Sequence, residues 1–415
     1  MKILILGSGG REHAVAKKLK ENKSVNKLYC TGKNAGISEI AELVDINPCD
    51  GQAVLSFVKA NNIDLTVVAP DDPLAAGVVD VLSGSGYRAF GPVKSAAEIE
   101  SSKVFSKNLM KKYNIPTANY ETFDNYEKAV SYIKKQVFPL VIKADGLALG
   151  KGVIICQNER EGLDALKQIM LDKKFGNSGN RVVIEEFLTG KEVSVLTFTD
   201  GKTVVPMITS CDHKRVYDDN KGPNTGGMGT FSPCGWYDEK IAEEVRDNIL
   251  LPTIKAMNKE GRKFKGVLYF GLMKTQSGMK VIEYNCRFGD PETQVILPML
   301  KTDLLEIFNA VIDEKLSEIK IEWENGACVC VMLTSGGYPG DYVKGKEIKI
   351  GNSDKDIILY HSGTMLKDGK LITNGGRVLG VTAKAETMQK AREKVYKNIK
   401  KISFEGMHYR TDIGN

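Results

Sequence analysis

The alternation of strand-like and helix-like segments through the first hundred residues limits this chain more than any other feature. "KILIL" (2–6) reads as a buried strand, and residues 11–22 carry a helical pattern. "KLYC" is a short strand, 51–61 a helix, "IDLTVVAP" a strand, 73–84 a helix and "YRAFGP" a further strand. This βαβ rhythm predicts a parallel sheet with helices on both faces. A helix over 95–113 follows. The stretch to residue 187 reads as a compact α+β block with strands "PLVIKA", "VIIC" and "NRVVIEEF" and a helix over 159–171. Beyond it come a hairpin ("KEVSVLTFTDG" with "KTVVPMITS"), a long polar loop over 211–233 and a helix over 238–260. The strands "GVLYFGLMKT" and "MKVIEYNCRFG" and a helix over 300–314 complete this part. Near Gly326 the pattern restarts with "ACVCVMLTS" and runs strand-rich to Asn415, with one charged helix over 386–401. The expected fold class is multidomain, α/β at the N-terminus and α+β after it, ending in a small strand-rich domain.

Composition removes several classes of function. A net charge of +6 on 415 residues suits anionic small molecules and lacks the dense basic stripe of a nucleic-acid binder. No apolar run reaches the length of a membrane span, and "MKILILGSGG" lacks the long apolar stretch and cleavage site of a signal peptide. The eight cysteines are scattered without a zinc spacing, so all are expected to be free thiols in a reducing cytoplasm.

Four segments carry candidate chemistry. "GSGGREH" (7–13) places a glycine turn between a strand and a helix N-terminus, which is an anion site by geometry. Gly7 and Gly9 match a dinucleotide fingerprint, but Glu12 fills its third glycine position. A packing turn is one reading. The other is a phosphate monoester held by Gly9, Gly10, Arg11 and His13, because cations in the first turn oppose the helix dipole unless an anion binds. "VIKADGLALGKGV" (141–153) fails as a Walker loop, since three residues separate Gly146 from Gly150 and Gly152 follows Lys151. It reads as a glycine-rich flap with Lys143 and Lys151 over phosphates, or as a plain hairpin. In "VVIEEFLTGKE" the alternation breaks at Glu185 and Glu186, which suggests a hinge. The polar loop 211–233 mixes Asp212, His213, Lys214, Arg215 and glycines, and long loops in compact proteins are usually functional or disordered. His213, beside two cations, reads as an anion contact.

The most specific segment is "VIEYNCRFGDPET" (281–293). Read as a strand over 281–288, it puts Ile282, Tyr284, Cys286 and Phe288 on one face and Glu283, Asn285 and Arg287 on the other. A carboxylate and an amide oxygen two residues apart suit Mg²⁺, which fills its shell with phosphate and water. Arg287, next along, suits a phosphoryl group in transfer. An exposed polar face with a local ion pair is the plainer alternative.

The motifs "GSGGREHA", "KADGLALGKGV", "EEFLTGKE", "DHKRV", "GPNTGGMG", "NCRFGDPETQ", "GGYPG" and "TNGGRVLGV" occur in this order along the whole chain. Together they resemble the glycinamide ribonucleotide synthetase family of the ATP-grasp superfamily. The resemblance implies an N-terminal domain over 1–100, a central ATP-grasp domain from 101–118 and 188–325, a lid over 119–187 and a C-terminal domain over 326–415. It implies ATP and Mg²⁺ (or Mn²⁺), and the small-molecule substrates glycine and 5-phosphoribosylamine joined through glycyl phosphate. A cytoplasmic monomer that binds neither nucleic acid nor membrane is expected. By motif, Lys103, Lys143, Glu185, Leu188 and Glu192 would contact ATP, with Gly150, Lys151, Gly152 and Glu186 beside them. Glu283 and Asn285 would hold the metal. Asp212, Lys214, Arg215 and Arg287 would act at the reacting groups. His213, Asn224, Thr225, Gly226, Gly227 and Asp290 would line the substrate site. Asp71, in "PDDPL", stands one methylene short of the acid this family usually carries there. Ending at Asn415, the chain is similar to single-activity bacterial forms.

Three rival readings follow from the same residues. A related ATP-grasp carboxylase or formyl-transfer ligase would not carry "DHKRV" with "GPNTGGMG". A non-catalytic nucleotide sensor would be expected to lose Glu283, Asn285 or the flap lysines. An NAD oxidoreductase would need an intact glycine fingerprint.

Overall fold

A computed structural model describes residues 1–147 and 152–415. The N-terminal part is the expected parallel sheet with one further edge strand, Glu42–Val44, in the order Glu42–Val44, Lys27–Thr31, Lys2–Leu6, Leu65–Val68, Ala89–Phe90. Its middle strand holds Ile3, Leu4, Ile5 and Leu6 entirely out of water, which explains a continuous apolar run where alternation would mark a one-sided sheet. The helix expected over 95–113 is two, Lys94–Ser101 and Lys103–Lys112. Ser102 breaks them: its backbone is extended, and its Oγ accepts from the Phe105 N–H (3.1 Å) as a helix cap.

Two antiparallel sheets follow. One runs Tyr120–Phe123, Val182–Glu186, Leu140–Ala144, Val153–Cys156 and has a core of its own that includes Ile142, Leu166 and Ile184. The central sheet runs Val204–Pro206, Lys191–Thr199, Gly266–Thr275, Gly278–Asn285. Its last strand stops at Asn285, short of the expected residue 288, and its pairing slips between Gly271 and Leu272. Gly271 faces Glu283 while Leu272 faces Val281, so Ile282 is an extra residue on its strand. A bulge re-aims side chains. Tyr284, Cys286 and Phe288 are buried as expected, whereas Ile282 is only half-buried.

The stretch 211–233 is not an unstructured loop. Cys211–Asp212 and Gly229–Ser232 join the C-terminal sheet, whose order is Cys211–Asp212, Gly229–Ser232, Ala327–Thr334, Arg377–Ala385, Ile357–His361. Between them Arg215–Tyr217 pairs with Lys221–Asn224 as a separate hairpin. This folding also corrects the free-thiol expectation for two cysteines. Cys211 and Cys234 lie with Cα atoms 5.9 Å apart and form a disulfide across 23 residues, while the other six are free.

One apolar cluster ties the first sheet to the central domain. Phe308, on helix Leu304–Ile312, is fully buried, stacks on Phe90 at 3.8 Å between ring centroids and lies 6.3 Å from Phe288. Phe308→Ala should therefore cost about 3–5 kcal/mol of stability, as large-to-small changes of buried aromatics do. Urea unfolding of both proteins measures it. A loss under about 1 kcal/mol, the scale of a volume-conserving swap, would mean that the cluster is not a structural tie.

Candidate active site

The site lies where the Leu140–Ala144 sheet faces the central sheet. Lys143, on the first, donates from Nζ to the Ile282 carbonyl (3.1 Å), the carbonyl of the bulged residue. It also pairs with Glu185, which pairs in turn with Lys107. All three side chains are at most 5% exposed. Two ammonium groups on one buried carboxylate leave an excess of positive charge. Burial accordingly pulls Lys107 down to about 8, despite its attraction to Glu185. Burial alone would raise the Glu185 carboxyl, but Lys143 and Lys107 overcome it and hold it below the usual range. Lys103 donates to the Gly146 carbonyl (2.8 Å), and burial lowers its ammonium too. Asp145 fastens the entry to the glycine-rich segment: its Oδ1 accepts from Ser102 Oγ (3.0 Å) and from the Val104 N–H (3.1 Å). Gly152 closes the sheet edge by accepting from the Ala144 N–H (2.8 Å). Gly150 and Lys151 lie outside the described residues.

Across from these groups, Glu283 sits among cations. Lys214 Nζ is 3.5 Å from its Oε1 and 3.7 Å from Glu192 Oε2. Lys214 first, then Lys143, Lys103 and Arg287, pull the Glu283 carboxyl down to about 2 against the effect of burial. Glu283 in return holds the Lys214 ammonium well above its ordinary value. Arg287 Nη2 donates to Asn285 Oδ1 (3.2 Å) and pairs with Glu100 (3.2 Å), while its Nε is shut off from solvent without a partner. Burial opposes the charge on this guanidinium, but Glu100 and then Asp71 hold its pKa above the ordinary value. Asp71 thus acts through the Arg287 field despite its short reach.

At the hinge, Glu186 accepts from the Asn119 N–H and from Lys280 Nζ (both 3.0 Å), and Leu188 is half-buried in the link before Lys191–Thr199. Glu192 is largely exposed.

The folded 211–233 segment forms another wall. Thr225 anchors to the Lys214 carbonyl through its N–H (2.7 Å) and its Oγ1 (2.8 Å). The Gly226 N–H donates to Tyr338 Oη (2.9 Å), and the Gly226 carbonyl accepts from Arg377 (2.5 Å). Gly227 has φ +111°, and a side chain there would press on Pro291 and Asp212. Asp212 has an Oδ1 out of contact with water or any partner; burial, then Glu292, push its carboxyl well up. Glu292 accepts from Tyr269 Oη (3.1 Å), which lies 2.7 Å from Ser194 Oγ. Asn224 pairs with Arg215 on the exposed hairpin. The Arg215 guanidinium donates to the Gly222 carbonyl (2.6 Å) within that hairpin.

The anion-site reading of "GSGGREH" changes with the structure. The Gly9 N–H already donates to Glu12 Oε2 (2.6 Å), and Asp290 closes on the same turn, its carboxyl lowered by Arg377 and Arg11 against burial. Arg11 is spent on Glu12 (2.6 Å) and on the Phe288 carbonyl (3.1 Å), so it braces the bend that carries Arg287. Gly10 lets Ser362 and Gln294 approach the helix closely. His13 and His213 are not cations. Burial takes His13 to about 2, and its Nδ1 accepts from the His361 N–H (2.9 Å). Burial and Arg410 take His213 to about 4.

Sequence reasoning missed Lys107, Glu100, Tyr269, Glu292 and Arg377. Lys107 had a signal, four residues after Lys103 on one helix face. Arg377 lies 87 residues from Asp290, whose side chain it pairs with (3.3 Å) and whose carbonyl it binds (2.7 Å), and no local pattern links them.

The donor set fits a hard divalent cation: Glu283 is held ionised, and Asn285 adds an amide oxygen two residues on. Among the described residues no cluster of three or more His, Cys, Asp or Glu could hold a metal without outside ligands. Phosphate oxygens and water would complete the shell.

Two facing sheets that close on buried lysines and a carboxylate–amide pair define an ATP-grasp fold. The chain is similar to the biotin carboxylase domain of Hydrogenobacter thermophilus 2-oxoglutarate carboxylase, with a TM-score of 0.76 at 16% identity over 98% of this chain and 91% of that one. That likeness shows the fold alone. Family models of phosphoribosylglycinamide synthetase match along the chain: the N domain at residues 1–100, the ATP-grasp (A) domain at 101–293 and the C domain at 328–415. A phosphoribosylamine–glycine ligase from Caldanaerobacter subterraneus is 49% identical over 100% of this chain and 99% of its own length. One from Clostridium acetobutylicum is 45% identical over 100% and 99%. The crystal structure of phosphoribosylamine–glycine ligase from Thermotoga maritima aligns with a TM-score of 0.84 at 36% identity, covering 100% of both chains. The chain belongs to the phosphoribosylamine–glycine ligase family.

The Glu283 environment has a pH signature. Its folded pKa, about 2, lies below the ordinary 4.5, so ionisation stabilises the folded state. That contribution is complete above pH 4.5 and is lost as the pH falls toward about 2. Urea unfolding of the wild type and Glu283→Gln at stepped pH should give a stability gap that is constant above pH 4.5 and narrows below it. A gap independent of pH would show that the cations do not act on this carboxylate.

Proposed function

We propose that this chain joins glycine to 5-phosphoribosylamine with ATP, yielding glycinamide ribonucleotide, ADP and phosphate for purine biosynthesis. The observation that carries this reading is the seating of Glu283 among Lys214, Lys143, Lys103 and Arg287 between the two sheets of a chain of this family. Lys103 and Lys143 bind the phosphate chain, and the buried Lys107–Glu185 pair fixes Lys143. Backbone at Glu186 and Leu188 meets the adenine edge, Glu192 takes ribose hydroxyls, and Gly150, Lys151 and Gly152 cover the phosphates. Glu283 and Asn285 would hold Mg²⁺ or Mn²⁺, which neutralises charge on the transferring phosphoryl group when bound.

A glycine carboxylate oxygen attacks the γ-phosphorus, and the bond to the β–γ bridging oxygen breaks with its electron pair leaving on ADP. Arg287 and Lys214 stabilise the charge at the reacting groups. The product, glycyl phosphate, is open to the amine of phosphoribosylamine. The new C–N bond forms as phosphate leaves with one former glycine oxygen, and the amine gives up a proton. Asp212, His213, Asn224, Thr225, Gly226, Gly227 and Asp290 line the acceptor side, while Arg215 supports it from the hairpin. Gly9, Gly10, Arg11 and His13 serve as its wall, since the Gly9 N–H, Arg11 Nε and Nη1 and His13 Nδ1 are already engaged from within. Action as a monomer in a cytoplasmic setting completes this reading.

Glycine labelled with heavy oxygen in its carboxylate tests both activity and route. Phosphate release should require glycine and phosphoribosylamine together, and one label should appear in inorganic phosphate beside unlabelled ADP. Label in AMP with pyrophosphate would replace glycyl phosphate by an adenylate. ATP turnover that ignores either substrate would overturn the assignment.

A further inference from the structure

The hairpin Arg215–Tyr217 with Lys221–Asn224 belongs to no larger sheet, and Lys221–Asn224 is exposed throughout. Two-stranded hairpins are marginal alone in water. Yet this one directly follows Lys214, whose ammonium must stay within reach of Glu283.

The chain's last residues hold it. Arg410 is 1% exposed, and its guanidinium divides between two jobs. Nε and Nη2 grip Asp412 at 2.7 and 2.5 Å, while Nη1 donates to the Arg215 carbonyl (3.1 Å) and to Asn220 Oδ1 (2.9 Å). Asp412 Oδ2 accepts from the Asp219 N–H (3.0 Å). Thr411 donates to Asp218 through its N–H (2.8 Å) and its Oγ1 (2.5 Å), and a His408 ring nitrogen lies 2.9 Å from the Val216 carbonyl. The tail is itself fixed: His408 exchanges backbone hydrogen bonds with Thr334, and Tyr396 Oη donates to the Arg410 carbonyl (2.9 Å). A rigid C-terminal sheet thus reaches, through one guanidinium, the peptide next to Lys214.

We propose that Arg410 is a positioning residue for the ligation: by fixing the Arg215 carbonyl it sets where Lys214 stands, so the C-terminal tail completes the acceptor side of the site. This rests on the ligase reading above. The nucleotide clasp of Lys103, Lys107, Lys143 and Glu185 makes no contact with the tail among the described residues, so the effect should separate by substrate. A buried arginine that served stability alone would not separate it.

The experiment compares the wild type, Arg410→Ala, Arg410→Lys and, on the hairpin side, Asp218→Asn. Steady-state phosphate release is read against each substrate, and amide exchange over residues 213–217 is read with no substrate present. Misplacing a reacting group by an ångström can cost about 100-fold. Arg410→Ala should therefore lose kcat on about that scale and raise KM for glycine, with KM for ATP within about twofold of wild type. Residues 213–217 should exchange faster. Arg410→Lys, which keeps the Asp412 pair but cannot span all its partners, should recover part of kcat, and Asp218→Asn should show a smaller version of the same split. If Arg410→Ala does not fold, Asp218→Asn and Arg410→Lys decide the matter. Unchanged exchange at 213–217, or a KM for ATP that rises as much as the KM for glycine, would overturn the proposal. Failure of the wild type to couple phosphate release to both substrates would instead overturn the ligase reading, and the exchange result would still report on whether Arg410 holds the hairpin.

Discussion

Everything at this site depends on carboxylates that hold like charges together. Lys103, Lys107, Lys143, Lys214 and Arg287 converge on Glu185, Glu283 and Glu100. Taking charges out of water is costly unless they are paired, and here two ammonium groups, Lys107 and Lys143, share one carboxylate, Glu185. Burial lowers Lys107 to about 8, with Lys143 adding to it against the pull of Glu185. A chain of phosphates is the natural complement, because it brings several negative charges to a place already shaped by fixed positive ones. The same surplus explains why Glu283 remains an anion: four cations act on one carboxyl.

Backbone geometry makes the convergence possible. The bulge at Ile282 leaves a carbonyl for Lys143, so a strand of one sheet is tied to the edge of the other at the point where Glu283 emerges. Ser102 performs a similar service. By ending one helix and capping the next, it starts Lys103–Lys112 beside Asp145 and puts Lys103 against Gly146. On the opposite side, strands from 211–233 extend the C-terminal sheet, so Asp212 and Lys214 are placed by a domain that supplies none of the nucleotide clasp.

What could be read from sequence was what depends on near neighbours. The βαβ rhythm needs only local periodicity, and four of the five N-terminal strands followed from it; the edge strand Glu42–Val44, three residues long, did not. Glu283 and Asn285 were visible because two residues of one strand suffice to present two oxygens to one side. The folded nature of 211–233 was not visible: its strands are two to four residues long, rich in polar side chains, and stable only through pairing with Ala327–Thr334 and contact with the tail. The Cys211–Cys234 disulfide depends on the same pairing and has no spacing signal. The charge state of His13 and His213 was not legible for another reason. A histidine beside lysine and arginine looks cationic in sequence, but charge state is set by burial, and burial is a property of the finished fold.

That last point bears on how the chemistry must run. Of the four histidines, burial pulls His13 to about 2 and His213 and His361 to about 4, so these three are neutral at physiological pH. The fourth, His408, is engaged with the Val216 carbonyl at the hairpin. No imidazole therefore adds positive charge to phosphate binding, and that task falls to lysine and arginine, whose charge does not switch near neutrality except where burial is extreme. Such a site works by holding groups in place while charge moves between bound reactants. Its rate then depends on how firmly Lys214 and Arg287 are anchored; Arg410, through the Arg215 peptide, anchors the first, and Glu100, 310 residues earlier, the second.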